Sequence, residues 1–358
     1  MKKIAMVLTN AFNPDVRVYK EARYFVEQGH EITVYAWDRK CECKEYEEVD
    51  GIKVKRIQVE SVAGSGAKQI LPSIKFMKEL KKILNKAEYD ILYCHDLDGA
   101  IAGYFADIKK IDFIFDMHEV YDKYFYYRIP LVGKYLFKRL INYSNHIVYV
   151  NEKQIENFEK NILKKCIYIP NYPVKDLYIP IEKQKTNKLR VNYIGAVRDY
   201  NSLNTLLLIE NDEIEIKVYG MGTSYDKLKR NNYGKNSKLM GRYDGIKESG
   251  EIYRNTDILY CVYDPSVENW NIAYPVKLFE AIVTRTPIIV CKGTNLEEFV
   301  NKYGIGIAVE YSNKKELLDC IFQLKEKYNS YVKNIKKIEN IYNWENVVLD
   351  LNKLIGNP

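Results

Sequence analysis

The sequence has few of the residues from which disulfide frameworks and histidine metal centres are built. It contains 7 cysteines, scattered singly apart from Cys41 and Cys43, and 4 histidines in 358 residues. An odd count without a C-x-x-C pair argues against a disulfide framework or a zinc site and favours a reducing compartment. The sequence therefore predicts a cytoplasmic protein without a histidine-rich metal centre.

Long apolar runs are also lacking. The longest, such as "IIVC" and "ILYCVY", have the length of strands, whereas a membrane span needs roughly 20 residues. The N-terminal "MKKIAMVLTN" is basic and then apolar, as signal peptides are, but its apolar part is short and we interpret it as a first buried strand. A net charge of +7 permits anionic partners without requiring nucleic acid.

What the sequence does contain is a regular alternation of short β-branched runs and helical patterns, which is typical of doubly wound α/β folds. The alternation stops over "PNYPVKDLYIPIEKQKTNK", which is rich in proline and polar residues. We therefore expect two Rossmann-like domains, 1–172 and 189–335, joined by a linker over 173–188. Residues 336–358 are predicted to form a helix, with Trp344 as a core anchor. Ligands are expected at the carboxyl ends of the strands and in the cleft between the domains.

Glycines follow several predicted strands of the second domain, at Gly195, Gly220, Gly222 and Gly241. A glycine at such a place allows backbone amides to approach a phosphate closely, or simply forms a tight strand-to-helix turn. Both interpretations stay open for each glycine, and the recurrence within one domain favours a ligand.

The segment "YPVKLFEAIVTRTPIIV" predicts a helix between a loop and a buried strand. Pro275 suits the first helical position, which leaves the N–H groups of Val276, Lys277 and Leu278 free to bind an anion. The charge of Lys277 on the same turn would add to the helix dipole. Glu280 could then accept hydrogen bonds from a pair of ribose hydroxyls, as acidic residues do in dinucleotide folds. The alternative is an exposed lysine followed by an acidic helix face.

This segment resembles the donor-site motif of retaining glycosyltransferase family 4, in the subgroup whose motif reads P-x-K-L-F-E. Other segments are similar to family motifs in the same order: "NPDVRVYKEARYFVEQGHEITVYAW", "YCHDLDGAIAGYFA", "FDMHEVYDKYF", "GRYDGIKESGEIYRNTDILYCVY" and "YNWENVV". The resemblance implies the GT-B fold, in which two doubly wound Rossmann-like domains face each other across a cleft. It also implies a C-terminal helix that crosses back to the first domain.

The resemblance further implies a hexosyltransferase-like enzyme that needs no metal or other cofactor. It would move a sugar from a UDP- or GDP-sugar to an acceptor hydroxyl in polysaccharide, glycolipid or glycoprotein assembly, and would retain the anomeric configuration. His118 and Glu280 would be its catalytic residues. The predicted donor contacts are Gly195, Arg198, Val276, Lys277 and Leu278 for the diphosphate, Gly220, Gly222, Gly241, Arg242 and Glu280 for the nucleoside, and His118, Asn271, Ala273 and Tyr274 for the sugar. The predicted acceptor contacts are Asn10, Asp15, Arg17, Asp96 and Glu119.

The chain departs from the family pattern at three places. Ile272 stands where the family has its first motif glutamate, so Asn271 or Glu268 would have to reach the sugar instead. Arg198 follows the first strand of the second domain without the lysine that usually comes after it, and we hypothesise that Lys277 supplies that charge. Arg285 replaces the glycine that usually follows the motif helix.

Two further functions stay open from the sequence. One is a non-catalytic protein of the same fold that binds a sugar nucleotide or supports a partner enzyme, and the other is a nucleotide-sugar epimerase. A membrane partner also stays open. The segment "YDKYFYYRIPLVGKYLFKRL" and the lysine-rich helix near 68–86 could dock on an anionic inner membrane surface, or could be an active-site rim and a solvated helix face.

Overall fold

The computed structural model describes the chain except for residues 14, 63–65, 108, 110, 120, 122–129, 180–181, 185, 268–269, 272–273 and 357–358, and the side chains of 67 and 130–132. Its contacts divide the chain into two compact units. The first unit comprises Met1–Asn171 and Val347–Pro358, and the second comprises Tyr172–Asn346.

The first unit is a sheet with helices between its strands. The strands are β1 Lys3–Leu8, β2 Glu31–Asp38, β3 Tyr46–Val49, β4 Ile52–Gln58, β5 Ile91–His95, β6 Asp112–Asp116, β7 His146–Tyr149 and β8 Cys166–Tyr168. The helices are α1 Val16–Glu27, α2 Ile70–Lys86, α3 Asp96–Ala106, α4 Pro130–Tyr143 and α5 Lys160–Leu163. The strand order is β3-β4-β2-β1-β5-β6-β7-β8, and these pairs are parallel apart from β3 with β4. The carboxyl ends of the parallel strands therefore meet at one edge of the sheet.

The central strands of this sheet are buried on both faces, which explains why they are continuous apolar runs. Every residue of β5 is buried, and β1 is buried from Ile4 onward. Trp37 of β2 stacks on Phe76 of α2 with 4.8 Å between ring centres. The doubly wound sheet that we predicted from the alternation of strands and helices is therefore confirmed.

Strand β3 was not predicted, because its sequence "YEEV" is polar and its side chains are half-buried or exposed. It forms a hairpin with β4 through Asp50 and Gly51, whose φ angles are 49° and 79°. Positive φ at both central residues is characteristic of the type I′ turn, for which Asp-Gly is a preferred sequence. The dipeptide was the signal that could have revealed this strand.

The second unit repeats the architecture with a parallel sheet. Its strands are β9 Leu189–Ile194, β10 Ile214–Tyr219, β11 Ser237–Gly241, β12 Ile258–Cys261, β13 Ile288–Cys291 and β14 Gly306–Val309, in the order β11-β10-β9-β12-β13-β14. Its helices are α6 Tyr200–Leu207, α7 Tyr225–Lys229, α8 Ser249–Arg254, α9 Val276–Val283, α10 Asn295–Tyr303, α11 Lys314–Glu326 and α12 Tyr328–Lys336. This sheet was also predicted, and the fold of two doubly wound units is confirmed.

The C-terminal segment differs from the continuous helix predicted for 336–358. Helix α12 ends at Lys336, and the chain then forms the 3₁₀ helices Trp344–Asn346 and Val348–Leu354. The asparagines and β-branched residues of "NIYNWENVV" have low helix propensity, which explains the interruption. Trp344 is buried, and its N–H donates to the Pro173 carbonyl oxygen at 3.0 Å.

Arg285 follows α9 with φ at 54°, in the left-handed region that favours glycine. Its guanidinium makes two hydrogen bonds to Glu339, at 2.6 and 2.8 Å. This bidentate pair offsets the strain of a non-glycine residue at that position.

Among the residues that the structure describes, no helix has both the length and the apolar character to span a bilayer.

Candidate functional site

In the second unit, Lys277 lies in the first turn of α9, as the sequence predicts. Pro275 is the N-cap residue and has an extended conformation. The helix therefore begins at Val276, one residue later than predicted. The Leu278 N–H donates to the Pro275 carbonyl oxygen at 3.0 Å, and the Leu278 side chain is fully buried. The prediction that Leu278 offers a free amide is therefore wrong. The amides of Val276 and Lys277 stay as candidates for binding an anion.

The Lys277 ammonium is held by aromatic side chains. Its Nζ donates to the Tyr263 hydroxyl at 2.7 Å and lies 3.9 Å from the centre of the Tyr193 ring. Such cation–π contacts contribute roughly 0.5–2 kcal/mol, with the larger values at desolvated sites. The two tyrosines therefore fix the charge at the start of the helix.

Lys277 and Arg198 line one cavity of about 170 Å³. The other lining residues are Tyr193, Ala196, Asp199, Tyr263, Trp270 and Pro275. Arg198 is exposed and lies in the turn after β9. The structure thus brings together the two positive charges that the sequence assigned to a diphosphate.

Gly220 and Gly222 are required by close backbone packing at the strand ends of this unit. The Gly195 N–H donates to the Tyr219 carbonyl oxygen at 2.9 Å, and the Gly220 N–H donates to that of Gly241 at 2.6 Å. A Cβ on Gly220 would lie 1.9 Å from the Gly195 carbonyl oxygen, and one on Gly222 would lie 2.3 Å from that of Val197. Close backbone contact alone accounts for Gly220 and Gly222, so their contact with a nucleoside stays a prediction.

Gly195 has a direct relation to the lysine. Its φ is +137°, and a Cβ there would lie 2.3 Å from Cε of Lys277. The missing side chain of Gly195 therefore leaves the space that the Lys277 side chain occupies. Gly241 has φ at +83°, and Arg242 after it is exposed.

Glu280, one turn into α9, is held by two tyrosines. The Tyr178 hydroxyl donates to its Oε1 and the Tyr253 hydroxyl to its Oε2, both at 2.8 Å. Burial, together with the charge of Glu280, raises the pKa of both phenols well above the usual range, so they stay protonated donors. Each carboxylate oxygen has further lone-pair capacity, and Glu280 is only half-buried. It can therefore accept additional hydrogen bonds from the hydroxyl groups of a ligand.

The residues predicted to contact the donor sugar are only partly described. The Asn271 amide donates to the Pro265 carbonyl oxygen at 3.3 Å, and Tyr274 is 41% exposed beside Phe299. Ala273, Ile272 and Glu268 lie outside the described residues.

In the first unit, Asp116 organises a buried cluster at the carboxyl end of β6. Its Oδ2 lies 2.9 Å from Nε2 of His118 and 3.0 Å from Nδ1 of His95. Arg17 donates to the same carboxylate through Nε at 2.9 Å and Nη2 at 2.6 Å. Asp116 is fully buried, whereas 23% of the His118 side chain is exposed. His118 is therefore the member of the cluster that can meet a ligand.

The electrostatics of this cluster favour a charged His118. Burial alone would raise the pKa of Asp116, but the neighbouring Arg17 and His118 hold it well below its usual range. Burial would lower the pKa of His118, but the charge and hydrogen bond of Asp116 outweigh it and raise that pKa to about 9. His118 is thus an imidazolium at neutral pH.

Arg17 was predicted to face an acceptor, and the structure places it elsewhere. It is 5% exposed, and besides Asp116 it contacts Glu21 at 3.3 Å and the Ile169 carbonyl oxygen at 3.3 Å. Its guanidinium is directed at these buried acceptors and supports the Asp116 cluster.

The other predicted acceptor residues have local structural partners. Asp15 caps α1 by accepting from the Val18 N–H at 3.2 Å, and also accepts from the Asn10 amide at 2.8 Å. Asp96, with φ at 62°, accepts from the Tyr121 hydroxyl, and Glu119 is exposed. Contact of these side chains with an acceptor stays a prediction.

The donor atoms of His95, Asp116 and His118 all lie within 4.8 Å of one another, a spacing that a metal ion could bridge. However, Asp116 Oδ2 is shared by both imidazole rings, and the Arg17 charge lies against the same carboxylate. A second cation there would face electrostatic repulsion. The hydrogen-bonded cluster accounts for these residues without a metal.

Asp96 and Asp98 also form an Asp-x-Asp pair, in the first turn of α3 in the first unit.

Sequence reasoning missed the residues that hold the predicted ones in place. These are Asp116 and His95 in the first unit and Tyr178, Tyr193, Tyr253 and Tyr263 in the second. The high count of 32 tyrosines was an available signal, although it does not say which of them are buried beside charges.

Comparison with known proteins supports the predicted family at the level of the first unit. The family described as Glycosyltransferase Family 4 matches residues 15–172. No curated protein matches this chain in sequence.

Solved structures resemble the whole chain. Sucrose-phosphate synthase from Thermosynechococcus elongatus has a TM-score of 0.78 at 13% identity, with 99% of this chain and 98% of that chain covered. HepE from Anabaena, in complex with UDP and glucose, has a TM-score of 0.67 at 11% identity, with 100% of both chains covered. WaaG, a glycosyltransferase involved in lipopolysaccharide biosynthesis, has a TM-score of 0.65 at 12% identity, again with 100% of both chains covered. At these identities the likeness establishes the fold, which is GT-B.

Proposed function

We propose that this protein is a glycosyltransferase of family 4 that transfers a sugar from a nucleoside diphosphate sugar to an acceptor hydroxyl. The observation that carries the proposal is the arrangement around α9. Lys277 and Arg198 line one cavity, and Glu280 lies one turn further along the helix. The family match over the first unit supports it, as does the likeness in fold to HepE, whose structure contains UDP and glucose.

The donor diphosphate would bind at the start of α9. Lys277, Arg198 and the amides of Val276 and Lys277 would neutralise the charge that develops on the leaving diphosphate, without a metal. Glu280, fixed by its two tyrosines, would accept the ribose hydroxyls. UDP and GDP sugars both present the groups that these residues would bind.

The sugar would be transferred with retention of the anomeric configuration. The bond between the anomeric carbon and the diphosphate oxygen breaks, and the acceptor oxygen forms its bond on the same face. The acceptor proton passes to the leaving diphosphate oxygen. His118, held charged by Asp116, would donate a hydrogen bond to a hydroxyl of the donor sugar. An imidazolium serves as a donor in this role and not as a base.

A thermal-shift panel of nucleoside diphosphates, their sugars and the free nucleosides tests donor binding. A ligand present at 100 times its Kd adds about 2.7 kcal/mol of stability, which corresponds to a rise in Tm of roughly 5–10 °C. We expect UDP or GDP to produce this rise and the matching nucleoside to produce a smaller one. No shift with any nucleoside diphosphate would reject the proposed donor.

Activity separates the enzyme from a non-catalytic protein that only binds the donor, the alternative that Ile272 keeps open. We expect slow hydrolysis of the correct nucleotide sugar, detected as release of the nucleoside diphosphate, and retention at the anomeric carbon when an acceptor is present. Tight donor binding with neither hydrolysis nor transfer would favour the non-catalytic function.

We further propose that the first unit binds an anionic phospholipid membrane at the inner face through α2, which would bring it to a lipid-linked acceptor. The helix exposes Ile70, Leu71 and Ile74 at 52%, 71% and 38%, and an exposed row of lysines follows them. Apolar and basic side chains on one exposed surface suit the interface of an anionic bilayer. The aromatic segment 122–129, which the sequence assigned to the same role, lies outside the described residues.

Replacement of Lys75, Lys78 and Lys81 by Gln is expected to weaken binding to vesicles rich in phosphatidylserine by roughly 100-fold. Each lysine near an anionic surface contributes about 1 kcal/mol, and the three side chains are exposed. Co-sedimentation measures the effect. The matched control replaces three exposed lysines of the second unit, Lys314, Lys315 and Lys333, and should bind as the wild type does. Equal binding to neutral and anionic vesicles would contradict membrane docking.

A further inference from the structure

Arg39 and Ser61 lie side by side at the carboxyl edge of the first sheet. Arg39 is the first residue after β2, and Ser61 follows β4. The Val59 N–H donates to the Asp38 carbonyl oxygen at 3.3 Å, and the Ser61 N–H donates to that of Arg39 at 3.0 Å. The two chain segments therefore continue their pairing beyond the sheet and bring the two residues together.

The surroundings hold Arg39 in place. Its Cζ lies 4.2 Å from the centre of the Trp37 ring, and Trp37 is itself stacked on Phe76 and donates to the Val59 carbonyl oxygen at 2.8 Å. The buried carboxylate of Asp38 accepts the backbone N–H groups of Lys40, Cys41 and Cys43 at 2.9–3.2 Å, which fixes the loop that carries Arg39. A planar guanidinium on a rigid aromatic surface is preordered for a bidentate contact.

One side-chain atom of each residue lacks a hydrogen-bond partner among the described residues. Nε of Arg39 and Oγ of Ser61 are both buried and have no hydrogen-bond partner there. Burial lowers the pKa of Arg39, and the charge of Asp98 only partly opposes this effect. Buried donors without partners are costly and uncommon in native proteins. An oxyanion would supply acceptors for both groups, because carboxylates and phosphates accept the Nε edge of arginine in bidentate geometry.

From this geometry we propose that Arg39 and Ser61 bind an oxyanion, a carboxylate or a phosphate, carried by the sugar acceptor. The proposal rests on the proposed transfer function, because it specifies the class of acceptor. The strand order places β1 and β5 between β2 and β6, which carries the Asp116 cluster. Three strand spacings amount to about 14 Å, so the anionic group lies well away from the hydroxyl that reacts near His118. The acceptor is therefore an extended anionic saccharide or saccharide phosphate.

The direct test follows the Arg39 Nε–H resonance by NMR while the full chain, saturated with UDP or GDP, is titrated with glucuronate, glucose 6-phosphate or glucose. Saturation with the nucleotide keeps the phosphate probe from the donor site. We expect both anionic sugars to shift this resonance and to bind at least 10-fold more tightly than glucose. The tighter of the two identifies whether the natural group is a carboxylate or a phosphate.

The matched variants are Arg39→Gln and Lys40→Gln, which remove one positive charge each from neighbouring positions. Lys40 is exposed and one residue further along the same loop. Arg39→Gln should abolish the preference for glucuronate over glucose, measured by the change in Tm, whereas Lys40→Gln should keep it. Ser61→Ala should weaken glucuronate binding by a few fold. Equal preferences in the Arg39→Gln and Lys40→Gln proteins would overturn the proposal.

Two further measurements distinguish anion binding from a purely structural role of Arg39. If Arg39 serves only to pack on Trp37, then Arg39→Gln lowers the Tm of the free protein and leaves the preference between glucuronate and glucose unchanged, which also overturns the proposal. Donor binding is measured on the same samples. A wild type that binds UDP or GDP but does not prefer the anionic sugars contradicts this inference alone, and a wild type that binds neither nucleotide contradicts the proposed function.

Discussion

A Lys277→Met variant is expected to bind UDP or GDP roughly 10- to 100-fold more weakly than the wild type, with little change in binding of the free nucleoside. Lys277 lines the cavity at the start of α9 together with Arg198, and its charge is the group that a diphosphate would meet there. Methionine matches the apolar part of the lysine side chain and removes the ammonium group with its charge and hydrogen bonds. Isothermal titration calorimetry with the nucleoside, its monophosphate and its diphosphate measures how the loss depends on phosphate.

The chain offers a matched control for this experiment. Lys302 also lies over a tyrosine ring in the second unit, 5.2 Å from the centre of Tyr303, but it does not line the cavity. Lys302→Met should therefore bind the diphosphate as the wild type does. Tyr263→Phe removes the hydroxyl that holds Lys277 and should give an intermediate loss. Equal diphosphate affinities in the Lys277→Met and Lys302→Met proteins would show that Lys277 does not bind phosphate.

A His118→Gln variant is expected to lose roughly 10- to 100-fold in turnover, because a hydrogen bond from a charged donor to the reacting sugar is removed.

The same variant should reveal the charge of His118 through the pH dependence of its unfolding free energy. The folded protein raises the pKa of His118 from 6.5 to about 9. The interaction with Asp116 therefore stabilises the fold fully below pH 6.5, and this stabilisation is lost as the pH rises from 6.5 to about 9.

Denaturant unfolding of both proteins across this pH range measures the effect. The difference in unfolding free energy between the wild type and His118→Gln should be largest at low pH and should shrink toward pH 9. His146→Gln is the control of opposite sign, because burial lowers the pKa of His146, so its protonation destabilises the fold as the pH falls. A pH-independent difference for His118→Gln would show that His118 is not charged by Asp116, and unchanged turnover would remove it from the reaction.

Much of the fold could be predicted because the signals for it are local. Runs such as "KIAMVLT" and "DILYC" became the buried central strands, since a parallel sheet covered on both faces needs continuous apolar sequence. The strand that was missed, β3, is a polar edge strand, for which the hydrophobic pattern carries little information. The helix predicted over 336–358 failed for a related reason: apolar spacing was present, but low helix propensity prevailed.

The site, like the fold, could be predicted where its signals are local and was missed where it depends on distant residues. The spacing of Lys277 and Glu280 within one helix was readable, because residues three apart share a helix face. The amide of Leu278 was misjudged, because in the first turn it donates to the carbonyl oxygen of Pro275, three positions earlier. The roles of the tyrosines could not be predicted, since Tyr178 reaches Glu280 from 102 positions away in the chain.

The sequence by itself determined the alternation of buried strands and helices, the division into two α/β units and the charges at the start of α9. Only the tertiary structure decided which distant groups meet. It buried Arg17 against Asp116, 99 positions away, and it set the Asp116 carboxylate beside His118, which raises the pKa of that histidine to about 9. It also left Arg39 Nε and Ser61 Oγ without a hydrogen-bond partner among the described residues. The physical reason is that helices and strands follow from local patterns, whereas the pKa and partner of a buried group depend on which strand ends the fold brings to one edge.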